Sequence, residues 1–246
     1  MGFDLDRVRQ ELAAGGTLRV GLNLSNFLLI NPGTGDKVPE GIVPDLARAL
    51  AAELGVAIEF VPYPSPAPLG DAVEKNAWDV AFLADEPARA QAIAFSPAYL
   101  EIQASYLVPA GSPLKRVEDV DRAGVRIAAM NGGAYALYLQ RSLQHAELVL
   151  TRSIDESFEV FVAQNLQALS GLRPRLLSDQ ARLPGSVVLP GHFTAVQQAI
   201  GTSRRHSAAA PYLADFAERA RASGQVQQAI DRHKVPGVNV APARAG

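Results

Sequence analysis

Residues 45–61 read DLARALAAELGVAIEFV, a helical pattern followed at once by a strand pattern. The leucines of the first part recur at every fourth position, which places them on one face of a helix. Asp45 is typical of a helix start, and Gly55 is typical of a helix end. The segment 56–61 is rich in β-branched and aromatic residues, so it predicts a strand. A helix that leads directly into a strand is part of a β-α-β unit.

The segments on either side of this stretch extend the α/β pattern. Residues 17–22 (TLRVGL) predict a strand before the helix, and residues 78–83 (WDVAFL) predict a strand that is buried on both faces. A short helix over 4–14 precedes them, and a further helix ends near Asn76. Strands that alternate with helices favour a parallel sheet with right-handed crossovers.

A second α/β series begins in the middle of the chain. After the strand-like residues 104–109, the turn-forming Ala110-Gly111-Ser112-Pro113 marks a change of unit. Beyond it, the patterns predict strands over 124–130 and 147–150 and helices over 134–143 and 155–163. The chain then returns to the first unit through a predicted strand over 193–200 and helices over 208–222 and 225–233.

Composition places the chain among ordinary globular proteins. Its 246 residues are 48% hydrophobic and 20% charged, and the net charge of −2 argues against a nucleic-acid partner. No apolar run approaches the roughly 20 residues that span a bilayer, so direct membrane insertion is not expected. The absence of cysteine excludes disulfides and thiolate chemistry, and the four histidines lack the spacing of a metal site. We therefore expect neither a metal nor a cofactor.

Four segments, in this order along the chain, resemble family 3 of the extracellular solute-binding proteins, the polar amino-acid receptors of ABC importers. Leu18-Arg19-Val20-Gly21 is similar to the first strand of that family, and 41–50 (GIVPDLARAL) to its aspartate-led helix. Trp78-Asp79-Val80-Ala81 is similar to its third strand. The most specific match is Pro87-Ala88-Arg89-Ala90 with Phe95-Ser96-Pro97-Ala98-Tyr99, which resembles a proline-x-arginine stretch leading into phenylalanine-serine-x-proline-tyrosine. The resemblance covers about residues 17–235.

The resemblance implies a two-lobed α/β fold, the type II periplasmic-binding-protein fold, with two crossover strands as a hinge. We expect lobe 1 to comprise 17–108 and 193–235, lobe 2 to comprise 109–192, residues 1–16 to form an N-terminal helix, and residues 236–246 to form a flexible tail. The family also implies a periplasmic location, a small-molecule ligand and an ABC permease as partner, and we expect a monomer. The start, MGFDLDR, lacks the basic and apolar regions of a secretory signal, which instead indicates a cytoplasmic protein or a removed leader.

Arg89 corresponds, in this resemblance, to the arginine that pairs with the carboxylate of the ligand. Its planar guanidinium can donate two parallel hydrogen bonds to one carboxylate and stays charged at neutral pH. The alternative is a surface arginine paired with Glu86 at i,i+3. Asn26 and Phe27 follow the first strand, where the family has an aromatic wall, although Phe27 also fits a core position.

The turn Asn131-Gly132-Gly133-Ala134 follows a predicted strand and opens a predicted helix. The N–H groups of such a turn can bind an anion with the help of the helix dipole. In the resemblance this turn is the second lobe's contact to the same carboxylate. The alternative is a tight turn without a ligand.

Two positions depart from the family pattern. Ala84 stands five residues before Arg89, where the amino-acid receptors carry serine or threonine. Leu172 stands where they carry the acid that pairs with the α-ammonium, and a shift of one residue would place Arg173 there instead. Burying an ammonium without a counter-charge costs several kcal/mol, so an unmodified α-amino acid is not the expected ligand. Asp85 is an alternative source of negative charge if its loop turns inward.

Together these residues predict a binding protein that captures a small organic carboxylate between two closing lobes, for an ABC importer. The expected ligand is amino-acid-like or amino-acid-derived and lacks a free α-ammonium. One alternative is a cleft enzyme of the same fold, resembling cyclohexadienyl dehydratase, with Asp85, Tyr135 or His192 as acid or base. Leu172 in place of an acid counts against it, and we assign no catalytic residue. The other alternative is a cytoplasmic ligand sensor.

Overall fold

The structure is a computed structural model that describes residues 2–33 and 38–243. Its helices are α1 (Leu5–Leu12), α2 (Ile42–Leu54), α3 (Pro66–Asp71), α4 (Ala134–Ser142), α5 (Ile154–Ala163), α6 (Arg173–Arg182), α7 (Ala209–Ala222) and α8 (Gln225–His233). Its strands are β1 (Thr17–Asn23), β2 (Ala57–Tyr63), β3 (Val80–Ala84), β4 (Ile93–Phe95), β5 (Leu100–Val108), β6 (Arg126–Met130), β7 (Glu147–Thr151), β8 (Ala168–Leu172), β9 (Val187–Val188), β10 (Thr194–Ser203) and β11 (Val238–Val240). Short 3-10 turns cover Arg89–Gln91 and Val117–Asp119.

The chain forms two compact units, which we call unit 1 (Met1–Glu101 with Gln197–Gly246) and unit 2 (Ile102–Val196). Both divisions fall inside strands, one within β5 and the other within β10, so these two crossover strands belong to both units. The sequence-based boundaries, at 108/109 and 192/193, lie at the unit 2 ends of the same strands. A strand that passes from one unit to the next has no turn residues at the division itself. The sequence shows only the turn residues that flank the strand, so the predicted boundary falls at the end of the strand.

Each unit has the same strand arrangement. In unit 1, β1 lies between β2 and β3 in parallel register, and β10 pairs antiparallel with β3. In unit 2, β6 lies between β7 and β8 in parallel register, and β5 pairs antiparallel with β8. The carboxyl ends of the parallel strands therefore share one edge in each unit, the edge where α/β proteins bind ligands.

Helix α2 begins three residues before the predicted start at Asp45. Gly41 is its N-cap, with a φ of 126° that favours glycine, and an added Cβ there would lie 2.4 Å from the carbonyl oxygen of Leu29. Asp45 sits in the first turn, where its N–H donates to the Gly41 carbonyl and its carboxylate accepts from Arg232. The expected aspartate cap is thus a first-turn acid, a position that the helix dipole also favours.

The core of unit 1 forms around Trp78, which is 1% exposed and donates its indole N–H to the Leu69 carbonyl. Gly21 of β1 lies directly against this pair, since a Cβ there would come within 2.5 Å of Leu69. Unit 2 has its own apolar core, which includes Tyr106, Val120, Ile127, Leu139 and Leu189. Each unit thus has an apolar core of its own.

The tail differs from the expected flexible segment over 236–246. Residues Val238–Val240 form β11, which pairs with β5, and the N–H of Ala241 donates to the Tyr99 carbonyl. Arg221 of α7 donates to the carbonyls of Ala98 and Pro242, so it holds both sides of this pairing. Three strand residues next to a Pro-Gly turn give too short a pattern to recognise in the sequence. Residues 244–246 lie outside the described chain.

Other elements also differ from the predictions. The helix expected to run to Asn76 ends at Asp71, and Asn76 itself adopts a left-handed φ of 50°. Strand β8 and helix α6 were not predicted as elements. Pro174 and the surrounding arginines obscure the helical pattern of α6. No helix within 2–33 or 38–243 has the length and apolar character needed to cross a bilayer.

We predict that Asp79→Ala destabilises unit 1 far more than Asp215→Ala. The carboxylate of Asp79 is almost fully buried and accepts from the backbone N–H, Nε and Nη2 of Arg19 at 2.8, 3.0 and 2.6 Å. Its removal should cost roughly 2–4 kcal/mol. Asp215 pairs with Arg219 on the surface, where a loss below about 1 kcal/mol is expected. Urea unfolding measures both values, and equal losses would contradict the prediction.

Candidate functional site

The candidate residues of unit 1 lie in two loops that leave the same edge of its sheet. Strand β1 ends at Asn23 and strand β3 ends at Ala84, and the two strands are parallel neighbours. The loop after β1 carries Asn26 and Phe27, and the loop after β3 carries Asp85 and Arg89. The sheet therefore brings together segments that are about 60 residues apart in the sequence.

Arg89 is held close to the strand end that precedes it. Its Nη1 donates to the carbonyl of Ala84 at 3.1 Å. The aliphatic stem lies over Gly70 of α3, where an added Cβ would be 3.7–3.8 Å from the Cγ, Cδ and Nε of the arginine. The residue is half-buried. Gly70 was not recognised as a site residue from the sequence, and nothing in the sequence around it indicates this contact.

Burial dominates the electrostatics of Arg89. It lowers the pKa of the guanidinium from 12.5 to about 10, while the nearby carboxylates of Glu86 and Asp71 act in the opposite direction. The group therefore stays charged at neutral pH, although it has lost much of its hydration. The expected alternative was a surface arginine paired with Glu86; Arg89 is half-buried rather than fully exposed, and the charge of Glu86 acts on its pKa. A desolvated cation at a loop edge is suited to hold an anion.

Ala84 and Asp85 have structural contacts through their backbones. Ala84 is 6% exposed and offers only its carbonyl, so no hydroxyl stands at this position. Asp85 is half-buried, and its N–H donates to the carbonyl of Gln197 at 3.0 Å. Gln197 was not recognised as a candidate from the sequence, since β10 gives no motif there.

Asn26 and Phe27 have different surroundings. The Oδ1 of Asn26 is buried and has no hydrogen-bond donor within the described chain, although the backbone carbonyl of Asn26 accepts from two N–H groups of the same loop. Phe27 is 48% exposed, so it is not a core residue. It lines a cavity of about 380 Å³ together with Gly41, His233 and Val235.

In unit 2, the turn Asn131-Gly132-Gly133-Ala134 follows β6 and begins α4. Gly132 has a left-handed φ of 72°, and Gly133 is the N-cap of the helix. Glycine has no side chain with which to cap the first N–H groups of α4, so these groups are available to an anion. A Cβ at Gly133 would lie 3.2 Å from the Met130 carbonyl oxygen and 3.3 Å from the Tyr135 ring, which leaves little space for a larger residue.

Tyr135 is an interior residue of unit 2. Its side chain is 5% exposed, and burial raises the pKa of its hydroxyl to about 12. A phenol in this environment stays neutral at physiological pH and is a poor general base. The structure thus places one of the three acid or base candidates in the core.

The segment around Leu172 contains no acid. Leu172 is the N-cap of α6 and pairs with Ala104 across β5 and β8. The Nη1 of Arg173 donates to the carbonyls of Leu189 and Gly191, both at 3.0 Å, so this guanidinium holds the end of unit 2 next to β10. His192 is exposed in the adjacent segment.

The candidates therefore form two groups, each at the carboxyl edge of its own unit. Unit 1 supplies Asn26, Asp85 and Arg89, and unit 2 supplies the 131–134 turn and Leu172. Phe27, Tyr135 and Arg173 have the separate environments described above. Within 2–33 and 38–243, histidine and acidic side chains do not converge in groups of three or more that could hold a metal ion.

Comparison with known proteins identifies relatives with this architecture. Residues 21–235 match the sequence profile of the bacterial extracellular solute-binding proteins, family 3. No curated protein sequence matches the chain. The solute receptor for L-cysteine of Neisseria gonorrhoeae superposes with a TM-score of 0.76 at 17% identity, covering 95% of this chain and 94% of the receptor.

Two further solved structures are similar. An amino acid ABC transporter substrate-binding protein from Streptococcus pneumoniae, bound to L-arginine, gives a TM-score of 0.74 at 19% identity and covers 90% and 96% of the two chains. An ancestral amino acid-binding protein, a precursor of cyclohexadienyl dehydratase, gives 0.73 at 21% identity and covers 94% and 99%. These matches confirm the predicted α/β fold of type II periplasmic binding proteins.

We predict that Tyr135→Phe makes the protein less sensitive to alkaline pH. The raised pKa means that the folded state keeps the Tyr135 proton up to about pH 12, while the unfolded chain releases it near pH 10. The resulting stabilisation is complete below pH 10 and is lost as the pH rises towards 12, a change of about 2–3 kcal/mol. Urea unfolding at pH 8 and pH 11 should show a smaller loss for the variant. Equal losses in both proteins would contradict this.

Proposed function

Because the chain belongs to family 3 of the bacterial extracellular solute-binding proteins, we propose that it captures a small organic carboxylate without a free α-ammonium. Arg89 carries this proposal. Its guanidinium is half-buried at the carboxyl edge of unit 1, and burial lowers its pKa in spite of the charges of Glu86 and Asp71. A carboxylate would compensate the lost hydration and can accept two parallel hydrogen bonds from the guanidinium.

The proposal that the ligand has no free α-ammonium rests on the charges of unit 2. Leu172 offers no carboxylate, and it caps α6 at the end where the helix dipole is positive. Arg173, the next residue, adds a full positive charge. An ammonium group placed here would lose its hydration without a counter-charge, at a cost of several kcal/mol.

Asn26 supports a further property of the ligand. Its buried Oδ1 has no donor within the described residues, and such an acceptor is costly unless a partner reaches it. A ligand that carries a neutral N–H or O–H group beside its carboxylate would satisfy it. N-acylated amino acids and hydroxy acids have this combination of groups.

Delivery to an ABC importer is the proposed fate of the ligand. The enzyme alternative has weaker support, because Tyr135 is buried and neutral, His192 is exposed, and Leu172 replaces an acid. Incubating the protein with its identified ligand and following the mixture by NMR distinguishes the two. Unchanged ligand supports binding alone, whereas a new product supports an enzyme.

We predict that Arg89→Gln abolishes carboxylate binding while Arg89→Lys weakens it. Loss of the charge should lower affinity by roughly 2–5 kcal/mol, and lysine keeps the charge but not the paired geometry. Native mass spectrometry of co-purified material identifies the ligand, and calorimetry measures each variant. The starting panel comprises L-arginine, L-cysteine, their N-acetyl derivatives and the amides of those derivatives.

The panel separates the two charged groups of an amino acid. The N-acetyl acids should bind best, the amides should not bind because they lack the carboxylate, and the free amino acids should bind weakly. Unaltered affinity of the Arg89→Gln variant for the co-purified carboxylate would refute the proposal.

We predict that Leu172→Glu confers binding of free α-amino acids. The new carboxylate would supply the missing counter-charge for the α-ammonium and should raise affinity for L-arginine or L-cysteine by roughly tenfold or more. Leu172→Gln is the matched control, because it has nearly the same size and no charge. Equal behaviour of the two variants would show that residue 172 does not face the ammonium.

A further inference from the structure

Glu101 and Gln197 occupy equivalent places in the two crossover strands. Glu101 is the last residue of unit 1 along β5, and Gln197 is the first residue of unit 1 along β10. The Nε2 of Gln197 donates to Oε2 of Glu101 at 2.8 Å in a partly buried setting. This side-chain hydrogen bond adds to the sheet pairing of β5 and β10 at the point where both strands leave unit 1.

The same part of β10 also holds the loop that carries Arg89. The carbonyl of Gln197 accepts the N–H of Asp85 at 3.0 Å, which extends the pairing of β10 with β3 by one residue. Its neighbour Gln198 pairs with Ala84, whose carbonyl binds Nη1 of Arg89. The carbonyl of Gln198 accepts from Tyr99, just before β5. Residues 197 and 198 thus contact the Arg89 loop on one side and the first crossover strand on the other.

We propose that Gln197 is a positioning residue that ties the Arg89 loop to both crossover strands, so that loop and hinge move together. The proposal rests on the proposed function, because the position of the loop affects ligand capture only if Arg89 binds the ligand. Its physical basis is the partly buried hydrogen bond from the Gln197 side chain to an acceptor oxygen of residue 101. This bond fixes residue 197, and the carbonyl of residue 197 fixes Asp85.

Hydrogen–deuterium exchange of the ligand-free protein tests the tie to the loop. Gln197→Ala and Glu101→Ala should each accelerate exchange in peptides spanning 84–92 by roughly three- to tenfold, the range expected for one hydrogen bond. The double variant should add little, because both changes remove the same bond. Glu101→Gln is the conservative control: it keeps an acceptor oxygen and should stay within about twofold of the unaltered protein. Peptides of β1 serve as the internal reference and should not change.

Distances between fluorescent labels test whether Gln197 also restrains the two crossover strands. Since the chain has no cysteine, Ala52→Cys on α2 and Glu159→Cys on α5 provide one exposed label site in each unit. Single-molecule fluorescence transfer then reports the distribution of distances between the units without any ligand. Gln197→Ala and Glu101→Ala should broaden this distribution, and Glu101→Gln should restore its width.

Faster exchange confined to 84–92 together with a broader distance distribution supports the proposal. The proposal is overturned if exchange is unchanged, if the distance distribution is unchanged, or if exchange accelerates throughout unit 1. It is also overturned if Glu101→Gln has the same effect as Glu101→Ala. The proposed function is tested separately by Arg89→Gln. If Arg89→Gln abolishes carboxylate binding and Gln197→Ala has no effect, only the positioning role is rejected. If Arg89→Gln still binds the carboxylate, the proposed function is rejected.

Discussion

The burial of β3 determines where unit 1 can present functional groups. All five residues of this strand are buried, with β1 on one side and β10 on the other. A strand enclosed in this way can carry polar chemistry only at its ends. The Arg89 loop leaves the carboxyl end, and the carbonyl of the last strand residue, Ala84, holds the guanidinium. Because β10 covers β3 and also continues into unit 2, the strand that fixes this loop is itself part of the connection between the units.

The stability of the fold alone does not explain why an arginine is kept in a partly buried position. Burial removes hydration from the guanidinium and lowers its pKa, although the charges of Glu86 and Asp71 act in the opposite direction. Replacing buried ionic groups with apolar ones often stabilises a protein, so their retention is better explained by a specific role. Under the proposed function an anionic ligand provides that role, since its carboxylate adds negative charge and acceptors beside the guanidinium.

Much of the fold could be predicted from local patterns, and the parts that failed have physical reasons. Helix α8 coincides with its predicted range, because its apolar spacing is regular. The start of α2 depends on the backbone of Gly41, and β11 depends on pairing with β5, which is distant in sequence. Arg89 was recognisable only through its motif. Its burial, the stem over Gly70 and the contacts of Gln197 arise from tertiary packing and leave no local signal.

Under the proposed function, the charges at the carboxyl edge of unit 2 disfavour a cationic group on the ligand. In unit 2, α4 and α6 both begin at that edge with N-caps, Gly133 and Leu172, that offer no side-chain acceptor. Their positive dipole ends favour an anion. Specificity is a difference between affinities, and the most effective discrimination here is against positive charge. An amino acid brings a carboxylate, which we propose that Arg89 holds, and an ammonium, which Leu172 does not balance. On this proposal, blocking or removing the ammonium leaves only the favourable part of the interaction, so the chemistry at residue 172, rather than at Arg89, would separate this chain from a receptor for free amino acids.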